Sequence, residues 1–170
     1  MQALPFPEYT MLSVKIICVG KMREKYFVDA FQEYARRLSA YCSFECTELQ
    51  ETRLPPSPGE RELSAALDKE AIAILKALPK DAYVVALCVE GRKLSSEQLA
   101  EMVRERENSG RPRICFLIGG SYGLSEKVKQ LADLKLSMSD MTFPHHLARV
   151  MAAEQIYRSF KILEGSAYHK

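Results

Sequence analysis

The 170-residue sequence contains no tryptophan. It has no apolar run approaching the roughly 18 residues of a membrane-spanning helix, so an integral membrane protein is excluded at this level. An excess of one charge is also missing: 24 Lys+Arg stand against 22 Asp+Glu, a formal net charge of +2. That is far from the basic excess of a chromatin or bulk RNA-coating protein, so any nucleic-acid contact has to come from a local patch. Cysteine is sparse and odd in number. Cys18, Cys42, Cys46, Cys88 and Cys115 show no paired spacing, which argues against a disulfide framework and fits a reducing cytoplasm. Cys18, Cys88 and Cys115 lie inside apolar runs and read as small core residues. Cys42 and Cys46 are followed by no second Cys/His pair, so no metal site is expected.

What is present is the balance of a folded domain, 47% hydrophobic and 27% charged, at a length that suits one domain. Residues 1–10, MQALPFPEYT, lack the basic start and apolar stretch of a secretory signal. They read as a poorly ordered extension ahead of a single domain over 11–170. Residues 13–19, SVKIICV, are rich in β-branched side chains and read as a strand. From Lys25 the period lengthens: Tyr26, Phe27, Ala30, Phe31, Tyr34 and Leu38 predict an amphipathic helix. Residues 43–49 alternate like a strand, and the run Leu54-Pro55-Pro56-Ser57-Pro58-Gly59 forces an extended loop.

Helical period returns over 60–78 and stops at Pro79. Residues 83–89 form a nearly continuous apolar strand, as expected where both faces are covered. Ser95 and Gln98 are spaced as a capping box for a helix reaching about Asn108. A buried strand over 114–118, a short helix capped by Ser125, a fifth strand over 134–138 and a last helix from His145 to about Phe160 complete the pattern. Strands and helices alternating in this way predict an α/β domain, with a mainly parallel five- or six-stranded sheet between helix layers.

Chemistry concentrates at three places. Ile118-Gly119-Gly120-Ser121-Tyr122-Gly123-Leu124 joins a buried strand to a capped helix, where ligands of open α/β sheets bind and where glycine lets the backbone approach a ligand. It is also the tight turn that any α/β protein needs, and it is not the dinucleotide fingerprint. A second glycine turn, Glu90-Gly91-Arg92-Lys93, follows another strand and would put positive charge at a rim. The third place is the segment 137–145. His145 and His146 stand at a helix start, where the dipole favours the neutral, proton-accepting imidazole. Arg149 lies one turn further on the same side. Met138, Met141 and Met151 read by themselves as core, and the terminal Tyr168-His169-Lys170 as a solvated end or one folded back over a site.

Together, VKIICVGKMREKY, ALCVEGRKLSS, FLIGGSYGL, LSMSDMTFPHHLARV, EQIYR and the terminal AYHK resemble the ribosomal RNA large subunit methyltransferase H family of the SPOUT superfamily, over residues 11–170. The resemblance implies an α/β fold with a C-terminal trefoil knot, a rare exception to unknotted chains. It implies a cytoplasmic homodimer that uses S-adenosylmethionine to methylate N3 of a pseudouridine in 23S ribosomal RNA within the assembled ribosome. Carried over by motif, the cofactor contacts are Leu87, Gly119, Gly120, Met138, Ser139, Asp140, Met141, Thr142 and Phe143. His145, Arg149, Tyr168 and His169 fall on the substrate side, with His145 or His169 as the base and Arg149 stabilising the developing anion. The competing expectations are a dinucleotide-dependent oxidoreductase, disfavoured by the single glycine of Val19-Gly20-Lys21-Met22, and a non-enzymatic ribosome-binding factor.

Overall fold

The computed structural model describes residues 11–169, so the extension expected over 1–10 lies outside the described residues. Five strands are laid down in chain order: β1 (Ser13–Val19), β2 (Ser43–Leu49), β3 (Tyr83–Lys93), β4 (Arg113–Ile118) and β5 (Leu134–Ser137). Between and after them run helices α1 (Lys25–Leu38), α2 (Glu60–Ala77), α3 (Ser96–Glu107), α4 (Glu126–Leu131) and α5 (His145–Leu163), and a 3-10 turn over Ala167–His169. The strands form one sheet in the order β2-β1-β4-β3-β5, and every neighbouring pair is parallel. No helix of the described residues is long and apolar enough to cross a membrane.

The period-2 alternation of the strands divides the interior into two cores. Val14, Ile16 and Cys18 of β1 and Ile114, Phe116 and Ile118 of β4 face α1, α3 and α5. Ile17 and Val19 of β1 and Cys115 and Leu117 of β4 face the other way, against Ala71 and Ile74 of α2 and Val128 of α4. Each of these strands is therefore apolar on both faces, which is why its sequence reads as an unbroken hydrophobic run.

Two features differ from expectation. Glu90-Gly91-Arg92-Lys93 is a continuation of β3 and not a turn. β5 pairs with β3 at Leu87 and again at Arg92, with a register shift between, so β3 kinks over its neighbour. Gly91 makes the kink possible: a Cβ there would lie 2.7 Å from the Lys135 carbonyl carbon. Cys88, expected in the core, is half-buried on this kink.

Candidate active site

All five strands point the same way, so their carboxyl ends share one edge of the sheet. The chain leaves β1 toward β2 and leaves β4 toward β5, in opposite directions, which opens a crevice between the ends of these adjacent strands. Two cavities lie along that edge, of about 330 and 500 Å³.

The smaller cavity is built from three chain bends. β3 supplies Leu87 and the kink after it, whose backbone is not paired to β5 between Leu87 and Arg92. β4 supplies Gly119 and Gly120, which open a turn closed by a Gly123 N–H donating to the Gly120 carbonyl at 3.0 Å. A Cβ on Gly119 would lie 2.2 Å from the Gly123 backbone, and Gly123 itself has φ +76°, so this turn tolerates no side chain at either position. The segment after β5 supplies Met138, Ser139, Met141, Thr142 and Phe143. Its curl is held by the Ser139 hydroxyl, which accepts from the Met141 N–H at 3.1 Å, and by the Ser137 hydroxyl, which donates to the Ser139 carbonyl at 2.9 Å. Met141 is 70% exposed, unlike the core position its spacing suggested. Asp140 turns away and its carboxylate pairs with Lys93.

The cavity is mostly apolar. Its cation, Lys129, is tied to Glu90 and, at 3.0 Å, to Glu126. Burial lowers the Lys129 pKa, but the two carboxylates outweigh it and hold the amine charged. The positive charge is thus locally matched, and a cationic ligand meets no net repulsion there.

His145, Ser121 and Tyr122 border both cavities. Burial, then the neighbouring His146, lowers the His145 pKa from the ordinary histidine value, so its ring is neutral at pH 7. Glu51, just past β2, lies beside it: its carboxylate accepts from the Ser121 N–H at 2.7 Å and sits where a Gly120 Cβ would project. Burial raises the Glu51 pKa, but the Ser121 hydrogen bonds and the two histidines prevail, leaving it below the ordinary carboxylate value. Glu51 is the residue that motif reading missed; its one signal was its place past the carboxyl end of a strand.

The remaining expected site residues stand apart from the smaller cavity. Arg149 is 2% exposed and lines neither cavity. It donates to Glu48 at 2.5 Å and to the Gly20 carbonyl at 2.8 Å, locking the turn after β1 to α5. Tyr168 and His169 lie against α5 and α3: the Tyr168 hydroxyl reaches Glu154 at 3.1 Å and His169 Nε2 lies 2.6 Å from Glu97. Glu154 is nine residues along α5 from His145, about 13 Å of helix. Within one chain, the tail and the cavity do not meet.

The chain is similar to known proteins over nearly its whole length. A family model described as "Predicted SPOUT methyltransferase" matches residues 12–169. A Clostridium novyi protein named ribosomal RNA large subunit methyltransferase H is 44% identical over 159 residues, 94% of this chain and the whole of that one. A Bacillus pumilus protein of the same name is 43% identical over the same coverage. A solved structure of a probable methyltransferase from Bordetella pertussis shares the fold at a TM-score of 0.57 and 15% identity, over 86% of this chain and 93% of that one. The chain belongs to the SPOUT methyltransferase family, among the ribosomal RNA large subunit methyltransferases H.

Proposed function

We propose that the protein transfers a methyl group from S-adenosylmethionine to N3 of a pseudouridine in 23S ribosomal RNA, acting in the cytoplasm on the assembled ribosome. The observation that carries this is the convergence of Leu87, Gly119–Gly120 and the segment after β5, through Met138, Ser139, Met141, Thr142 and Phe143, on one cavity at the sheet's carboxyl edge. A cradle that excludes side chains at Gly119 and Gly123, walled by Leu87, Leu136, Met138 and Phe143, suits a flat base and the methylene arms beside a sulfonium. When bound, the cofactor supplies a methyl group on a sulfonium centre, already activated toward a nitrogen nucleophile.

The protein's own groups then align and deprotonate. Leu87, Met138 and Phe143 exclude water, and the 119–123 turn fixes orientation by contact with backbone. The imide N3 of pseudouridine attacks well only without its proton. Neutral His145, on the wall between the cavities, is placed to accept that proton at a ring nitrogen. Glu51 anchors the wall through Ser121, and Arg149 acts as a positioning residue by holding the Gly20 turn.

The enzyme is a homodimer in this reading. Tyr168 and His169 lie far from the cavity of their own chain, so a catalytic part for them requires a second copy. In the same reading the C-terminal part of the chain threads as a trefoil knot. The test is methyl transfer to ribosomes lacking the modification, followed by mass analysis of digested 23S RNA. A pseudouridine heavier by one methyl group is expected; incorporation into another nucleoside, or none, refutes the assignment.

A further inference from the structure

We propose that the larger cavity is the seat of the RNA nucleotide that receives the methyl group, with Lys21, Arg23 and Arg53 holding its flanking phosphates. This rests on the methyltransferase reading and adds the substrate subsite to it.

At about 500 Å³ the cavity lies within the range of small-molecule sites and accepts a nucleotide turned out of its strand. It adjoins the smaller cavity only at Ser121, Tyr122 and His145, so a methyl donor on one side and an acceptor base on the other meet at that wall. Its rim carries Lys21, Arg23 and Arg53, all exposed. Among the described residues none of the three is ion-paired, whereas Lys129, the cation of the smaller cavity, engages two carboxylates. In a chain with a net charge of +2, this is the local patch that RNA binding requires.

The carboxylates that line the cavity are already committed. Glu51 accepts from Ser121, and Glu70 accepts from the Thr52 N–H at 2.8 Å while burial raises its pKa. Tyr122, 48% exposed, offers a ring face on which a splayed base can stack. His146 adds a buried Nε2 with no hydrogen-bond partner among the described residues. A basic rim and an aromatic platform are the components of single-strand recognition.

The experiment compares the wild-type chain with Arg53→Glu and with the double variant Lys21→Glu/Arg23→Glu. Labelled methyl transfer to unmodified ribosomes is measured across a salt series, and S-adenosylmethionine affinity by calorimetry. The expected result is a fall in kcat/KM of roughly tenfold or more, carried by KM. The slope of its logarithm against log salt flattens by about 0.7 per lost phosphate contact. Cofactor affinity is retained, and Arg53→Lys restores most of the loss. Unchanged kcat/KM and salt slope in the reversed variants overturn the seat alone. A wild-type chain that binds the cofactor yet methylates no ribosome overturns the parent assignment and the seat with it.

Discussion

The two adjacent glycines of the cradle serve different ends. At Gly119 any Cβ collides with backbone, whereas at Gly120 it meets side chains, the Glu51 carboxylate at 2.6 Å and Val19 at 3.2 Å, and Glu51 can yield at the cost of its hydrogen bond from Ser121. Gly119→Ala should therefore lower stability by about 1–3 kcal/mol or more, as overpacking against rigid neighbours does. Gly120→Ala should cost less, about 1 kcal/mol for the displaced hydrogen bond, and Gly120→Leu should lose cofactor affinity in calorimetry. Equal thermal shifts for the two alanine variants would contradict this division. His145 carries a pH prediction. Its folded pKa is lowered, so the unfolded chain binds the proton first as pH falls through about 6.5. Stability contributed by the neutral ring is present above that pH, falls below it, and levels off under the folded pKa. His145→Asn should flatten this part of a pH–stability curve. It should also remove the acid limb of kcat/KM, which in the wild type is displaced downward from the ordinary histidine value. An unchanged acid limb in the variant would assign the proton to another group.

At the scale of elements, most of the layout was legible because local chemistry dictates it. The capping box expected at Ser95 is present: its hydroxyl accepts from the Gln98 N–H at 3.2 Å and its own N–H donates to Gln98 at 2.9 Å. Ser95→Ala should cost about 1 kcal/mol, a Tm lower by roughly 2–4 °C for a chain of this size. The kink in β3 was not legible, since Glu90-Gly91-Arg92-Lys93 has turn composition and only the crossing of β5 makes it strand. The burial of Arg149 was not legible for a similar reason. Its spacing from His145 is a helix-face argument, while its burial depends on Glu48, 101 residues away in the chain. Glu48→Ala leaves the Arg149 guanidinium buried without its counter-ion and should cost about 3–5 kcal/mol. Arg149→Met leaves only the Gly20 carbonyl unmet, with Glu48 partly solvated, and should cost about 1–3 kcal/mol. Denaturant unfolding checks that order; a reversed order would mean that the pair does not act as described.

For the molecule as a whole, the parallel α/β class follows from alternation alone, but the strand order β2-β1-β4-β3-β5 does not. Continuous apolar strands such as β1 and β4 fit any interior position, so their neighbours are chosen by packing between distant segments. The same holds for the tail. Tyr168 and His169 carry the right chemistry in sequence, yet their own chain holds them against Glu154 and Glu97. If they act across a dimer, mixing His145→Ala with His169→Ala protomers should regain methyl transfer that neither variant shows alone. Failure to complement in a proven mixed dimer would confine the chemistry to one chain. The central claim is that three distant stretches of chain make one cofactor slot, and amide resonances of isotope-labelled protein titrated with S-adenosylmethionine report on it residue by residue. Saturable shifts concentrated at 87–90, 119–123 and 138–143 are predicted; saturation with those three stretches silent, or with only one of them responding, would contradict it.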